Sequence, residues 1–410
     1  MTKTISISLS PNTEKDDVAL AAGLVFQPWR WKEGAVAEEL EKTFEEKFGL
    51  GSCFAFNSGR SCFLAILSAI NLKKGDEVIV QAFTCNAVVN PILRSGAFPV
   101  FADIGKDLNI DVVSLKEKIG PKTRAIVVQH TFGWPARIRE IQEICEENNI
   151  YLIEDCAHSL GAKSNGSYCG SFGDAAFFSF GRDKVVSSVY GGIATANDLA
   201  LADGIKRFRE GIKYPNNLWI LQQLLHPIIM EIFVLPFYSL GLGKIFLAGA
   251  INSKILSQSV TAGENRGVLP DYFPKRMPNA LALLAINQLR KLERYNAHRK
   301  EIAEFYAVKL TDRGYSFPFQ NAGGDEPVYM RFPLIVKDPK AVLMKMKKNN
   351  IYLNDGWCDS VIVPAKTSLE KMCYSPGACF RAEEIARNII DLPTSIKISI
   401  GDAQKIINLL

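Results

Sequence analysis

The sequence lacks the features that most quickly assign a function. None of its nine cysteines (53, 62, 85, 145, 156, 169, 358, 373 and 379) belongs to a Cys-x-x-Cys pair. Odd in number and scattered mostly through apolar segments, they predict reduced thiols rather than a disulfide framework. The four histidines, His130, His158, His226 and His298, are too far apart for a sequence-level zinc motif, so no metal is expected. Charge is not in bulk supply either. A formal net charge of +5, from 48 basic and 43 acidic residues, is too small and dispersed to point to nucleic acid, and no RNA- or DNA-binding motif occurs. The opening MTKTISISLSPNTEKDD has no apolar core of the secretory kind, which with reduced thiols predicts a cytoplasmic location. What is present is bulk: 410 residues, 48% hydrophobic, enough for one large domain and a smaller one, and a size that suits an enzyme.

From about residue 51, short apolar runs alternate with helical ones. CFAF (53–56), EVIVQA (77–82), FPVFAD (98–103), AIVVQH (125–130), IYLIED (150–155), AAFFSF (175–180) and GIATA (192–196) read as strands. RIREIQEICEENN (137–149) carries Ile138, Ile141, Ile144 and Cys145 at helical spacing. Strands apolar throughout and separated by helices predict an α/β protein with a mostly parallel seven-stranded sheet covered on both faces. A helix at 36–48 precedes the sheet. Residues 279–308 read as one long helix leading into a smaller C-terminal α/β domain, with a strand at MRFPLIV (330–336) and helices at 341–350 and 382–390. The expected division is 1–280, with an apolar insertion at about 215–265, and 281–410.

Within that insertion, residues 218–251 carry only two formal charges, Glu231 and Lys244. Pro227 and Pro236 are expected to cut it into pieces too short to span a bilayer, and Lys206, Arg207, Arg209, Lys213, Lys254 and Arg266 flank it. Two readings stay open: a lid or dimer-interface segment with buried side chains, and an interfacial hairpin docked on a membrane, with Trp219 and Tyr238 at the headgroup boundary.

One lysine, Lys184, stands in the otherwise apolar and small-residue run FFSFGRDKVVSSVYGGIATAND (177–198). Three features accompany it. IYLIEDCAHSLG puts Asp155 at the carboxyl end of a strand, where open α/β sheets bind ligands. FNSGRSCFLAI reads as strand, turn and helix, with Ser58, Gly59 and Arg60 at a helix start whose N–H groups suit a phosphate. Ser179 adds a hydroxyl just before the lysine. A cofactor with a phosphate, a basic ring nitrogen and an aldehyde that a lysine amine condenses with would use all of them; pyridoxal 5′-phosphate is that cofactor.

The motifs NSGRS (57–61), GDEVIVQAFT (75–84), GAFPVFADI (96–104), HTFGWPA (130–136), IEDCAHSLGA (153–162), GSFGDAAFFSFGRDK (170–184), YGGIATAND (190–198) and AEEIARNIIDLP (382–393) resemble the nucleotide-sugar aminotransferases of the DegT/DnrJ/StrS type. The likeness runs from about residue 30 to the C-terminus, apart from 210–270. It implies the type I aminotransferase fold, Lys184 as the cofactor-bonding lysine and Asp155 as partner of the ring nitrogen. It also implies that His158 lies beside the ring and that Ser58, Gly59, Arg60 and Ser179 hold the phosphate. It further implies a homodimer, an amino donor such as glutamate, and a keto-sugar on a nucleotide or lipid carrier. Four departures qualify this. Arg60 replaces a usual Thr and offers a bidentate phosphate contact. Cys85 replaces a ring-stacking aromatic, a loss of about 1 kcal/mol. Pro274 replaces an Asn reaching the partner subunit, leaving Lys275 or Arg276 to take its place. YLNDGWCDSVIVP (352–364) replaces a His-rich stretch. The rival readings are another pyridoxal phosphate reaction on a sugar, such as dehydration, against which the retained Lys184 argues, and a protein that kept the cofactor fold without its catalysis.

Overall fold

The computed structural model describes residues 3–318, 323–354 and 356–410; Asp355, inside the divergent 352–364 stretch, lies outside them. All seven expected strands form: β1 Ser52–Phe56, β2 Glu77–Gln81, β3 Phe98–Ala102, β4 Thr123–Gln129, β5 Tyr151–Asp155, β6 Ala175–Ser179 and β7 Gly192–Ala196. They make one sheet in the order β1-β7-β6-β5-β4-β2-β3. Only β7 runs against its neighbours. Helices cover both faces, which is why these strands are apolar throughout. The parallel strands therefore end along one edge, with Asp155 closing β5 and Ser179 closing β6.

A second hydrophobic core gathers Ile302, Tyr306, Phe332, Leu334, Ile351, Leu392 and Ile406. The N-terminus reaches it, because Ile5–Ser6 pairs in parallel with Ile351–Tyr352. The chain from Trp357 to Ala386 returns to pack on the first core, through Trp357, Met372, Tyr374 and Ala382. The expected division near residue 280 falls within a helix, Asn279–Leu289, that is packed in the first core.

Three expectations are corrected. Residues 279–308 form two helices, Asn279–Leu289 and Leu292–Thr311. The break at Arg290–Lys291 has neither Pro nor Gly; it swings Lys291 onto the carboxylates of Glu14, Asp16 and Asp17, a tertiary cause that local spacing does not show. The helix expected at 382–390 ends at Asn388, and Ile389–Pro393 is a strand paired with Arg331–Ile335. Its alternation explains the switch: Ile389 enters the first core, Ile390 and Leu392 the second. Finally, Pro227 does not cut the insertion. Helix Asn217–Ile229 passes through it and continues as a π-turn, Met230–Val234, closed by Leu235 N–H on the Met230 carbonyl. Pro227 costs the helix one donor, to the Gln223 carbonyl, without ending it.

Candidate active site

Ser58, Gly59, Arg60, Cys85, Asp155, His158, Ser179 and Lys184 all line a single cavity of about 400 Å³ at the strand-end edge of the sheet. One end of it is a cradle for an anion. Ser58, extended at φ −169°, caps helix α1 (Gly59–Ile70) by accepting the Ser61 N–H at 3.1 Å. Among the described residues no acceptor takes the Gly59 and Arg60 N–H groups, which stay open at the positive end of the helix dipole. Contact makes a side chain tight at Gly59 and impossible at Gly192 without backbone movement. A Cβ on Gly59 would stand 3.1 Å from the Ser179 Cβ, and one on Gly192 would stand 2.9 Å from the Gly59 nitrogen and 2.5 Å from the Phe178 carbonyl oxygen.

Two guanidinium groups border the cradle, and they are not equivalent. Arg60 Nε pairs with Glu264 at 3.0 Å and its Nη2 donates to the Ser259 carbonyl at 2.8 Å. Its expected bidentate fork is thus largely spent on the insertion. Arg182 donates through Nη2 to Ser257 Oγ at 2.6 Å and stacks over Tyr190, but among the described residues it forms no ion pair. Burial holds its pKa below the usual value. Arg182 is the cation with charge to spare.

At the other end, Asp155 accepts the Ala157 N–H at 3.0 Å. Burial pushes its carboxyl up to about 6, against the pull of that hydrogen bond and the nearby Lys184. A carboxylate so placed calls for a cationic N–H beside it, which the ring nitrogen of pyridoxal phosphate supplies. His158 accepts the Phe132 N–H on Nδ1 and lies parallel to the Phe132 ring, 8° between planes. Burial, reinforced by the charges of Lys184 and Arg331, keeps its imidazole neutral. Trp357 stands edge-on to both rings, at 5.2 and 5.0 Å. Cys85 does no stacking: its sulfur caps the helix Asn86–Ser95 by accepting the Ala87 N–H, and burial raises its thiol pKa.

The lysine is held from behind. Asn12 donates to the Lys184 carbonyl, and Arg299 donates to the Val185 carbonyl at 2.8 Å and to Asn12 Oδ1 at 2.7 Å. Asp183 is paired to Arg331 at 2.6 Å. Behind Asp155, His130, Glu154 and Cys156 lie close enough to suggest a metal. The lone pairs of His130 and Glu154 are committed, however. Glu154 accepts the N–H groups of Gly170, Phe172 and Gly173 and the His130 Nε2 proton, while His130 Nδ1 accepts the Ala136 N–H. The cluster braces the loop after β5.

Sequence reasoning missed Arg182, Tyr190, Glu264 and Trp357. Arg182 and Tyr190 stand inside the motifs, whose pattern alone assigns them no role. Glu264 and Trp357 come from segments that share no pattern with the motifs; only the folded chain brings Trp357 to the cavity and Glu264 to Arg60.

The sequence profile of the DegT/DnrJ/EryC1/StrS aminotransferase family matches residues 12–219 and 270–410, leaving 220–269 between the two stretches. GDP-perosamine synthase of Vibrio cholerae is 35% identical over 193 residues, 47% of this chain and 53% of that protein; the chain spans about half the length of the curated relatives it matches. Helicobacter pylori PseC, an aminotransferase involved in the biosynthesis of pseudoaminic acid, superposes with a TM-score of 0.76 at 21% identity, covering 99% of this chain and 98% of that one. A Streptococcus pneumoniae chain described as a sugar aminotransferase, in its PLP form, gives 0.76 at 21%, covering 99% and 97%. These likenesses fix the fold as that of the pyridoxal phosphate aminotransferases. By the extent of the profile match, the chain belongs to the DegT/DnrJ/EryC1/StrS aminotransferase family, whose cofactor is pyridoxal 5′-phosphate.

Proposed function

We propose that the protein is a pyridoxal phosphate-dependent aminotransferase that moves an amino group from glutamate to the ketone of a sugar carried on a nucleotide, acting as a homodimer in the cytoplasm. The observation that carries this reading is the convergence of Lys184, Asp155 and the open N-terminus of α1 on one cavity. When bound, the cofactor supplies the electron sink and the carbon that carries the amino group. Gly59 and Arg60 N–H, the Ser179 hydroxyl and the Arg182 charge hold its phosphate. Asp155 keeps a proton on the ring nitrogen, which a neutral side chain would not. Released from the cofactor by the incoming amino donor, Lys184 Nζ would take the proton from the donor's α-carbon as base and hold it for return as acid. His158 and Trp357 wall one side of the cavity and exclude water from it.

A sugar acceptor is supported by the relatives, which include a GDP-perosamine synthase and a structure solved in the presence of a TDP-sugar product. A lipid carrier is the second form of the acceptor, favoured by the apolar insertion that reaches the cavity. The test is a half-reaction with glutamate, followed by nucleotide-linked and lipid-linked ketosugars. Release of 2-oxoglutarate and amination of a nucleotide-linked ketosugar are expected. No 2-oxoglutarate from the cofactor-loaded protein would overturn glutamate as donor, and no aminated sugar from any ketosugar would overturn the acceptor.

A further inference from the structure

The insertion faces outward with the wrong side. A helix packed on a globular protein normally turns its apolar stripe inward. In Leu242–Asn252, here α3, the positions at helical spacing Leu242, Ile245 and Phe246 are 52%, 70% and 53% exposed, and Gly243 is the buried residue. Helix α2 (Asn217–Ile229) and its π-turn continuation add Ile232 and Phe233, also exposed, and the Phe233 and Phe246 rings meet at 6.3 Å. The two helices thus present one apolar surface. It belongs to the stretch left out of the family match.

The charges around that surface are of one sign. From 216 to 263 the chain carries one acid, Glu231, and two bases, Lys244 and Lys254. Glu231 is neutralised by Lys397. Lys244 lies over the Tyr238 and Tyr352 rings at 5.4 and 4.9 Å, the pairing of tyrosines with a lysine that marks a headgroup boundary. Lys254 is exposed beyond the end of α3. A two-fold contact between two copies of this surface would set these cations against one another, whereas anionic headgroups neutralise them.

We propose that residues 232–246 dock the protein on the surface of an anionic membrane, with the apolar stripe in the headgroup boundary and Lys244 and Lys254 against lipid phosphates. The consequence for the site is direct, because the insertion returns from this surface to wall the cavity with Ser259, Val260 and Asn265. It is fastened there by Arg182 on Ser257, Tyr190 on the Gln258 carbonyl and Arg60 on Glu264. The docked segment and one wall of the site are thus parts of the same insertion.

The experiment is flotation of the full chain with phosphatidylcholine vesicles, with and without phosphatidylglycerol, alongside solution mass by light scattering. The wild type is expected to float with the anionic vesicles and to release as salt rises. The double variant Ile245→Asp/Phe246→Asp, whose side chains are exposed and leave the fold intact, is expected to lose at least tenfold in bound fraction with its solution mass unchanged. Lys254→Glu should weaken only the anionic component. Absence of wild-type flotation at low salt, or equal flotation of wild type and double variant, overturns the proposal. A fall in solution mass of the double variant with no vesicle binding by either protein assigns the surface to a second copy instead.

Discussion

Asp155 illustrates how a single residue records the charge of the group it is built to meet. Its folded pKa, about 6, stands above the ordinary carboxylate value of 3.8. Protonation therefore favours the fold: this contribution is fully present below about pH 4 and is lost as pH rises through about 6. Cofactor-free Asp155→Asn is expected to exceed the cofactor-free wild type in stability at pH 8 and to match it near pH 4. The gain at pH 8 reaches up to about 3 kcal/mol, because a carboxyl pKa raised by roughly two costs that much to ionise in place. With pyridoxal phosphate bound, the order should reverse, and transamination should fall by orders of magnitude. Denaturant melts of both forms at the two pH values check it; a pH-independent difference would remove the buried charge as its cause. Lys184→Ala should fold yet no longer be fixed to the cofactor by borohydride, and labelling at any other lysine would reassign the role. The two arginines separate as well. Arg182→Gln is expected to weaken pyridoxal phosphate retention about tenfold or more, as the loss of a charge-assisted contact does. Arg60→Gln should instead lower stability by stranding Glu264, which is fully buried. Dialysis followed by absorbance, with melting curves beside it, distinguishes them; equal cofactor loss in both would restore Arg60 to the phosphate.

At the scale of elements, α1 shows most plainly what the sequence can convey. Ser58-Gly59-Arg60 after an apolar run announced strand, turn and helix, and the chain forms Ser52–Phe56 and Gly59–Ile70, with Ser58 as the cap between them. Gly59→Ala keeps the helix but pushes on Ser179 at 3.1 Å, so several-fold weaker cofactor retention with little change in melting temperature is expected. Unchanged retention would show that the cradle yields at no cost. The seven strands were legible because parallel strands covered on both faces are uniformly apolar, a pattern with few imitators. The bend at Arg290–Lys291 was not, because its cause is three carboxylates almost 280 residues away in sequence, at Glu14, Asp16 and Asp17. The insertion was read as broken by Pro227, since proline usually ends a helix; the chain instead runs helical from Asn217 through Val234. Of the site, Lys184, Asp155, His158 and the Ser58-Gly59-Arg60 turn were legible from their motifs. Arg182 and Tyr190 were not, though they stand in motifs too, because their roles come from contacts with the insertion. Trp357 reaches the cavity, and Glu264 reaches Arg60, only through tertiary packing.

The whole molecule is tied together at Arg299, which is 1% exposed and, among the described residues, faces no carboxylate within ion-pairing distance. Burial pushes its pKa down to about 10. Its guanidinium is held by neutral oxygens alone: Asn296 on its own helix, Asn12 from the N-terminal segment and the Val185 carbonyl beside Lys184. Three parts of the chain far apart in sequence thus meet on one side chain: the helix joining the two cores, the N-terminus that supplies Ile5 to the second core, and the lysine loop of the first. Methionine fills similar volume without the donors. Arg299→Met relieves a buried charge but leaves the Val185 carbonyl and Asn12 Oδ1 without their donor, and the orphaned acceptors dominate, at roughly 2 kcal/mol of lost stability. Because the loss falls at Val185, cofactor retention should drop together with the denaturant midpoint, and amide exchange at 184–186 should quicken. A lowered midpoint with unchanged retention and unchanged exchange in that loop would mean that Arg299 joins the two cores without holding the lysine, and that Asn12 alone positions it.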